Sequence, residues 1–434
     1  MSALFRNDKP GAMPPSWYAA TANIPAQRPG LGGDTRTDVC IVGAGYTGLW
    51  AALVLAQKGF KVIVLDAHRA GFGASGRNGG QVGSGFNKGQ LWLERRLGPM
   101  KSRALWDIAE AGKKQVRDFC AEHAPEARYL PGVAHGEYSR SEAVDTRAEV
   151  EHLASAYAYT QIDILERDAM RHLVKTPRYV GGVLDRGAGH LHPLRYVLAL
   201  AKQAEAAGVT IHEGTTVTRL TKGPPTIVHT SKGDVTAAHV ILAGNGYLPD
   251  IDRAVSSRVM PINSFIGATE PLGDRAATIL AQDIAVADSK FVVNYYRLSE
   301  DRRFLFGGRE NYSIGFPADI TTALQARMVS LFPQLAGVRM DYGWGGSLAV
   351  TTHRLPHVAR IAPNIMSGAG YSGHGVALSG MAGRIMAEAI AGQAGRLDIM
   401  STLPVPPFPG GAALRAPLLT LAMTWFSLRD RLGI

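Results

Sequence analysis

Cysteine is almost absent from this sequence, whose 434 residues contain only Cys40 and Cys120. Two thiols cannot build a disulfide framework, and they exclude zinc or iron–sulfur sites made of cysteine. No window supplies the roughly eighteen uncharged apolar residues that a membrane-spanning helix needs. The N-terminal region has no basic start followed by an apolar core, so no secretory signal is predicted and we expect a cytoplasmic protein.

Charged residues are also few, at 19% against 46% hydrophobic residues. The chain can therefore bury a large core and is not disordered overall. Its net charge of +10 is compatible with an acidic ligand, a nucleic acid or an anionic membrane. Because the basic residues are scattered rather than clustered, we favour an ordinary solvated surface and expect no nucleic-acid partner.

A strand–loop–helix–strand pattern opens the ordered part of the chain. Residues 38–42 are a short apolar run typical of a buried parallel strand, and residues 61–65 predict a second one. Between them, Gly43, Gly45 and Gly48 form the GxGxxG pattern of a dinucleotide-binding loop. The first glycine permits the tight turn, the second lets the backbone approach a pyrophosphate, and the third lets helix and strand pack closely. The N–H groups of the helix N-terminus would bind the pyrophosphate.

An acidic residue ends the second predicted strand. Asp66 lies about 20 residues after Gly43, the spacing at which a carboxylate accepts hydrogen bonds from ribose hydroxyls. A carboxylate at this place disfavours a 2′-phosphate, so NADP is not expected.

Two further glycine-dense segments interrupt the strands and helices. Residues 71–81 contain too many glycines for a mere connector, and residues 368–375 precede a helix of small residues. Between these segments, residues 258–346 combine strand patterns, tight turns and aromatic residues, which predicts an antiparallel, sheet-rich domain. The predicted fold class is α/β, with a Rossmann-type domain interleaved with an antiparallel-sheet-rich (α+β) substrate domain.

These segments resemble the D-amino-acid oxidase and sarcosine oxidase superfamily of FAD enzymes, and within it the γ-glutamylputrescine oxidase group. The similarity is carried by residues 15–20, 73–81, 296–299, 305–308 and 370–376. It implies a discontinuous FAD-binding domain and a substrate domain whose large face covers the flavin. The implied pieces are 37–125, 180–257 and 347–400 for FAD, 126–179 and 258–346 for substrate, an N-terminal arm over the surface at 1–36, and a C-terminal tail helix at 401–434.

The resemblance also implies which residues bind FAD. The helix that begins near Gly375 would point its positive end at the flavin edge where negative charge develops on reduction. Arg77 would meet a phosphate or the flavin ring, or alternatively face solvent. The full predicted set is Gly43, Gly45, Tyr46, Thr47, Gly48, Asp66, Ala67, Gly73, Ala74, Ser75, Gly76, Arg77, Asn78, Gly79, Gly80, Gln81, Val217, Ala243, Gly244, Gly346, Gly370, Tyr371, Ser372, Gly373, His374, Gly375 and Val376.

The sequence departs from the superfamily where covalent attachment and lysine chemistry are concerned. Sarcosine oxidases hold FAD through a cysteine at a position matched here by about Gly346, and the 73–81 loop lacks the anchoring histidine of related dehydrogenases. We therefore predict non-covalent FAD and no metal. The lysines credited with substrate binding and oxygen activation would fall near Ala377 and Leu305, but no lysine follows Lys290. Oxygen or another electron acceptor remains open.

The reaction implied by the resemblance is oxidation of the C–N bond of an amine such as γ-glutamylputrescine. Hydride passes to flavin N5, the imine is hydrolysed to an aldehyde, and oxygen, if it is the acceptor, becomes hydrogen peroxide. The aromatic residues expected to wall the site are Tyr295, Tyr296, Tyr342 and Trp344, although each could equally belong to the core or the surface. The candidate catalytic residues are Tyr296, Trp344 and His374. We expect His374 to line the flavin rather than act as a base.

Three alternatives remain open from sequence. The substrate could be a cyclic or N-alkyl amino acid such as pipecolate, proline or sarcosine, or a D-amino acid. The chain could be an FAD module that modifies tRNA, although it shows no clustered basic face, or a flavin-binding protein without turnover.

Residues 414–432 could form an amphipathic helix that touches a membrane peripherally, but we favour a helix packed on the FAD domain.

Overall fold

A computed structural model of the chain describes residues 5–248, 251–311 and 315–410. Within these residues the strands form one sheet of eight strands and one of nine. The strands are β1 (Thr35–Val42), β2 (Val62–Leu65), β3 (Gln81–Val82), β4 (Leu130–Glu137), β5 (Ile162–Glu166), β6 (Gly181–His190), β7 (Thr210–His212), β8 (Val217–Thr221), β9 (Thr226–Thr230), β10 (Gly233–Leu242), β11 (Met260–Pro271), β12 (Ala285–Asp288), β13 (Tyr295–Leu298), β14 (Arg303–Asn311), β15 (Met340–Val350), β16 (His357–Ala362) and β17 (Ile365–Ala369). The α-helices are α1 (Trp17–Thr21), α2 (Tyr46–Gln57), α3 (Gln90–Leu97), α4 (Pro99–His123), α5 (Arg140–Tyr157), α6 (Arg167–Leu173), α7 (Pro193–Ala206), α8 (Arg253–Ser256), α9 (Thr321–Leu331), α10 (Gly375–Ile390) and α11 (Gly395–Met400).

The first sheet has a parallel centre. Strand β1 lies between β2 and β10, and β7 and β17 extend the parallel set on either side. Along β1, Val39 and Ile41 join one apolar core while Cys40 and Val42 join another on the opposite face. Burial on both faces is why this strand is an uninterrupted apolar run in the sequence.

The second sheet is mainly antiparallel. Its strand order is β15, β11, β14, β13, β12, β4, β6, β3, with β5 added to β6, and β12 pairs with β4 in parallel. This arrangement agrees with the predicted α/β fold that contains a second, sheet-rich part. Strands β3 and β6 pair in this sheet, although both lie in pieces that we assigned to the FAD domain. Sheet membership depends on long-range pairing, which a strand pattern alone does not encode.

Helices α2 and α10 pack closely on the parallel sheet and start at the same edge. A Cβ at Gly383 would lie 2.1 Å from the carbonyl oxygen of Thr47, so only glycine allows this approach. The hydroxyls of Thr47 and Tyr371 are 2.8 Å apart and join the two helix starts. The close packing therefore places two helix N-termini next to each other.

We expected the N-terminal segment to lie over the surface as an arm, but part of it is buried in the core. Trp17 and Tyr18, at the start of α1, are 2% and 0% exposed and belong to the main core. The ring of Tyr18 packs edge-on against Trp344, with centroids 5.2 Å apart. The Pro- and Gly-rich composition of this segment predicted a surface arm. Two large aromatic side chains fix it in the core instead, because burying each of them removes much apolar surface from water.

Among the described residues, no helix is both long enough and apolar enough to span a bilayer. The predicted helix at 414–432 lies outside the described residues. Helices α3 and α4 follow each other directly and are separated at Gly98, whose φ of +81° breaks the helix.

Candidate functional site

A cavity of about 1000 Å³ is lined by residues of both sheets. Such a volume lies at the upper end of the range for small-molecule sites and is suited to a dinucleotide with a substrate beside it. Its walls include the three glycine-rich segments and, from the second sheet, residues of β11, β12, β13 and β15. The predicted residues that line it are Gly43, Gly45, Tyr46, Thr47, Asp66, Ala67, Gly73, Ala74, Ser75, Arg77, Asn78, Gly79, Gln81, Val217, Ala243, Gly244, Gly346, Tyr371, Ser372, Gly373, His374, Gly375 and Val376.

The first glycine loop forms a cradle with no room for side chains. Gly43 has a φ of +111°, and a Cβ on it would lie 2.9 Å from the Ala243 carbonyl group. Gly45 precedes α2 in extended conformation, and the Tyr46 N–H at the helix start donates to Ser75 Oγ at 3.0 Å. Since Gly45 brings no side chain, the first turn of α2 faces the cavity with its backbone, as binding of a pyrophosphate requires.

Asp66 holds the glycine loop and faces the cavity. Its Oδ2 accepts the Ala44 N–H and its Oδ1 accepts the His68 N–H, both at 2.8 Å. Burial, with a smaller contribution from the Glu213 charge, raises the pKa of Asp66 to about 6 despite the lowering effect of these two hydrogen bonds. Each carboxylate oxygen keeps acceptor capacity for a ribose hydroxyl.

Arg77 is buried rather than turned to solvent. Its Nε donates to the Phe72 carbonyl at 2.6 Å, and its Nη1 contacts Asp8 and the Gly345 carbonyl at 3.1 Å. Its buried Nη2 has no hydrogen-bond partner among the described residues. An unpaired donor at the wall of this cavity fits an anionic or carbonyl group of a bound cofactor.

The C-terminal glycine loop turns sharply into α10, which begins at Gly375 as predicted. Ser372 and Gly373 have φ values of +52° and +94°, so the chain is wound tightly just before the helix. His374 precedes the helix, and its Nε2 lies 3.3 Å from the Ser84 carbonyl oxygen. Burial lowers the pKa of His374, so the imidazole is neutral and its N–H donates to that carbonyl. His374 thus lies in the cavity wall, where we expected it.

The two other candidate catalytic residues do not line the cavity. Tyr296 is 2% exposed and packs in the second core, with its hydroxyl 2.9 Å from that of Tyr179. Trp344 is 1% exposed, and its Nε1 donates to the Arg77 carbonyl at 3.0 Å. Tyr295, next to Tyr296, lines the cavity instead, because successive side chains of a strand point to opposite faces.

Four predicted glycines support the site without lining it. In each case a Cβ would lie 2.5 Å or less from a neighbouring atom, so only glycine allows the loops to pack this closely. The nearest atoms are the Gly43 carbonyl oxygen for Gly48, the Gly71 carbonyl oxygen for Gly76, the Leu191 carbonyl oxygen for Gly80 and Thr351 Cγ2 for Gly370. Tyr342 also lies outside the lining and packs against Arg303.

Sequence reasoning missed several cavity residues, most of which come from loops and strand ends. They carry no periodic signal, and only their closeness to the glycine segments or to a strand end could have marked them. The main ones are Lys88, His135, Tyr247, Asp288, Phe291, His353 and Arg354.

The geometry agrees with comparisons to known proteins. Residues 38–389 match the family model DAO, described as FAD dependent oxidoreductase. The chain is 40% identical over 417 residues to the "Probable oxidoreductase OrdL" of Rhizobium meliloti (strain 1021), covering 96% of this chain and 97% of that one. It is 38% identical over 421 residues to the γ-glutamylputrescine oxidoreductase of Escherichia coli (strain K12), covering 96% and 99%.

Solved structures confirm the fold class. The L-proline dehydrogenase of P. horikoshii has a TM-score of 0.70 at 19% identity, over 84% of this chain and 96% of that one. The glycine oxidase of Geobacillus kaustophilus has a TM-score of 0.67 at 20% identity, over 82% and 95%. The resemblance stated from sequence and the prediction of an FAD enzyme are both confirmed. The chain belongs to the DAO family of FAD-dependent oxidoreductases.

Proposed function

We propose that this enzyme oxidises the C–N bond of an amine, with γ-glutamylputrescine as the representative substrate. The observation that carries the proposal is one cavity, in which the three glycine-rich segments meet the face of a second sheet. The substrate class is suggested by the relative from Escherichia coli, which shares 38% identity over nearly the whole chain. The amine loses a hydride and a proton to give an imine, and water then releases an aldehyde and ammonia.

Bound FAD would supply the two-electron acceptor for this reaction. The chain's own residues would bind it at both ends. Asp66 and the start of α2 suit the ribose and the pyrophosphate, and the start of α10 suits the edge of the flavin that gains negative charge. The neutral His374 fixes the loop before α10 through Ser84 and does not compete for the substrate's proton.

The second sheet would supply the substrate side of the site. Ile266, Tyr295 and Leu348 line the cavity from three of its strands. Apolar and aromatic side chains exclude water, which favours the unprotonated amine that hydride loss requires. Their task is orientation and desolvation rather than proton transfer.

We propose that FAD is held without a covalent bond. Both cysteines are buried away from the cavity, and burial raises the pKa of each to about 12, which leaves no reactive thiolate. Gly346 stands at the position that sarcosine oxidases use for attachment. Acid precipitation of the purified holoenzyme should leave the yellow pigment in solution, and pigment that stays on the polypeptide would contradict this assignment.

A panel of amines tests the reaction. We expect γ-glutamylputrescine to support turnover, and L-proline, sarcosine and D-alanine to support far less. We also propose that oxygen re-oxidises the flavin and is reduced to hydrogen peroxide. Peroxide release in air, compared with reduction of an artificial dye, tests this choice of acceptor. Turnover with an amino acid but not with the glutamylated amine would overturn the proposed substrate. Dye reduction without peroxide would overturn only the acceptor.

We further propose a cytoplasmic enzyme with no nucleic-acid partner, and the domain pieces predicted from the sequence, except that β3 and β6 pair in the second sheet. The scattered basic residues support the absence of a nucleic-acid partner. Salt-sensitive retention of the protein on immobilised RNA would contradict the absence of a nucleic-acid partner.

A further inference from the structure

We propose that Lys88 and Arg354 bind a carboxylate of the substrate at a distance from the reacting C–N bond. The site would select an amine that carries an acidic group over a bare diamine. This inference rests on the proposed function and names the residues that give it specificity.

The two cations lie on segments that meet at one part of the cavity. Both line it and both are half-buried. The Lys88 Nζ is 5.6 Å from the centroid of the Trp92 ring, and the His353 ring centroid is 6.0 Å from the same ring. Since His353 directly precedes Arg354, Trp92 brings the two segments together. Asn87 ties the first of them to the C-terminal glycine loop, because its Nδ2 donates to the Ser372 carbonyl at 2.7 Å.

Arg354 is held in place by its surroundings. Its guanidinium carbon lies 4.6 Å from the centroid of the Phe291 ring, which is also part of the cavity wall. Its backbone has a φ of +59°, a conformation that a residue other than glycine adopts only when its neighbours enforce it. Stacking on an aromatic face leaves the edge of the guanidinium free to bind a planar anion in bidentate geometry.

Neither cation is paired with a carboxylate among the described residues, whereas comparable arginines are. Arg195 contacts Glu300 at 2.6 Å, and Arg303 contacts Asp341 at 2.6 Å. A half-buried cation that has no protein carboxylate beside it gains charge-assisted hydrogen bonds when an anionic ligand binds. Two such cations in one cavity therefore point to an anionic ligand.

Among the described residues, neither carboxylate that lines the cavity, Asp66 or Asp288, forms an ion pair with Lys88 or Arg354. Asp66 is fixed at the dinucleotide loop. Asp288 accepts the Asn294 N–H at 2.9 Å and the Tyr138 hydroxyl at 3.0 Å, and the Asn294 amide also donates to it at 2.5 Å. A diamine would bring a second positive charge to Lys88 and Arg354 and be repelled. A carboxylate would gain charge-assisted hydrogen bonds there.

Rapid anaerobic mixing of the holoenzyme with three amines tests the inference. The amines are γ-glutamylputrescine, N-acetylputrescine, which has no carboxylate, and putrescine. In the Lys88→Met/Arg354→Met variant we expect the apparent Kd for the glutamylated amine, from the dependence of flavin reduction on amine concentration, to rise about 10- to 100-fold. The limiting rate of reduction and the Kd for N-acetylputrescine should change little. Lys202→Met, an exposed lysine outside the cavity, is the matched control.

An equal loss of affinity for all three amines, or no loss for the glutamylated one, would overturn the inference. If none of the amines bleaches the wild-type flavin, the proposed function fails instead. Calorimetric titration with glutarate, which cannot reduce a flavin, then still tests the carboxylate site. Binding that is lost in the double variant supports it, and equal or absent binding in both proteins overturns it.

Discussion

At the scale of single residues, Asp66 holds the glycine loop through two backbone hydrogen bonds and lines the cavity. The sequence identified it, because an acidic residue at the end of a second strand is part of a known spacing. The hydrogen bonds that it accepts from the backbone N–H groups of Ala44 and His68 are visible only in the structure. The same carboxylate therefore shapes the glycine loop and presents an acceptor to the cavity.

We predict that FAD binding weakens as the pH falls through about 6. The pKa of Asp66 is raised to about 6 in the FAD-free protein, so the carboxyl takes up a proton below that pH. Because bound ribose needs the ionised form, the Kd for FAD should rise about tenfold per pH unit below 6 and stay flat above it. Quenching of flavin fluorescence measures this. Asp66→Asn should bind FAD more weakly at neutral pH and lose the dependence, and a variant that keeps it would contradict the assignment.

Two neighbouring tyrosines show what the sequence could not decide. Alternation along a strand places Tyr295 and Tyr296 on opposite faces, but which face meets the flavin side depends on how the sheet packs on the rest of the chain. In the structure, Tyr295 lines the cavity and Tyr296 packs in the core of the second sheet.

Matched substitutions of these tyrosines should separate the two roles. We expect Tyr296→Leu to lower the free energy of unfolding by about 3 kcal/mol, since it removes packed ring atoms and a buried hydroxyl contact. Tyr295→Leu should leave stability nearly unchanged and slow flavin reduction by amine about tenfold. Chemical denaturation and anaerobic kinetics measure the two effects. If Tyr296→Leu instead slowed flavin reduction while Tyr295→Leu lowered the free energy of unfolding, Tyr296 and not Tyr295 would belong to the site.

At the scale of elements, the close pair of α2 and α10 organises the cofactor side of the cavity. Both helices were predicted from glycine loops followed by small and apolar residues, and their starts agree with the structure. That they lie against each other was not predictable, because Gly383 and Thr47 are far apart in the chain. Likewise, the sequence of β6 does not show which of the two sheets the strand joins.

We predict that Gly383→Ala forces these helices apart. Its Cβ would lie 2.1 Å from the Thr47 carbonyl oxygen, which belongs to backbone and cannot rotate away. We expect a loss of about 1–3 kcal/mol in stability together with weaker FAD binding, because the start of α2 must shift. Thermal unfolding with and without FAD measures both.

Gly395→Ala serves as the control for this experiment. Gly395 begins α11, and a Cβ there meets nothing within 4 Å. Alanine should be neutral or stabilising by up to about 1 kcal/mol. If the two variants behave alike, close packing of α2 and α10 is not what positions the cofactor side.

At the scale of the whole molecule, distant segments meet in one cavity. The sequence predicted the three glycine-rich walls, since each has its own local pattern. It did not predict Lys88, Phe291 or Arg354, which lie in loops and become neighbours only through packing. Nor did it predict that Trp17 and Tyr18 anchor the N-terminal segment in the core. Local chemistry can thus be inferred from sequence here, whereas specificity depends on contacts between distant segments.

Anaerobic titration of the purified holoenzyme with γ-glutamylputrescine tests the central claim most directly. The account predicts that one equivalent of amine per flavin abolishes the visible absorbance of the oxidised flavin and yields one equivalent of aldehyde. A flavin that stays oxidised with excess amine, although L-proline or another amino acid reduces it, would contradict the account.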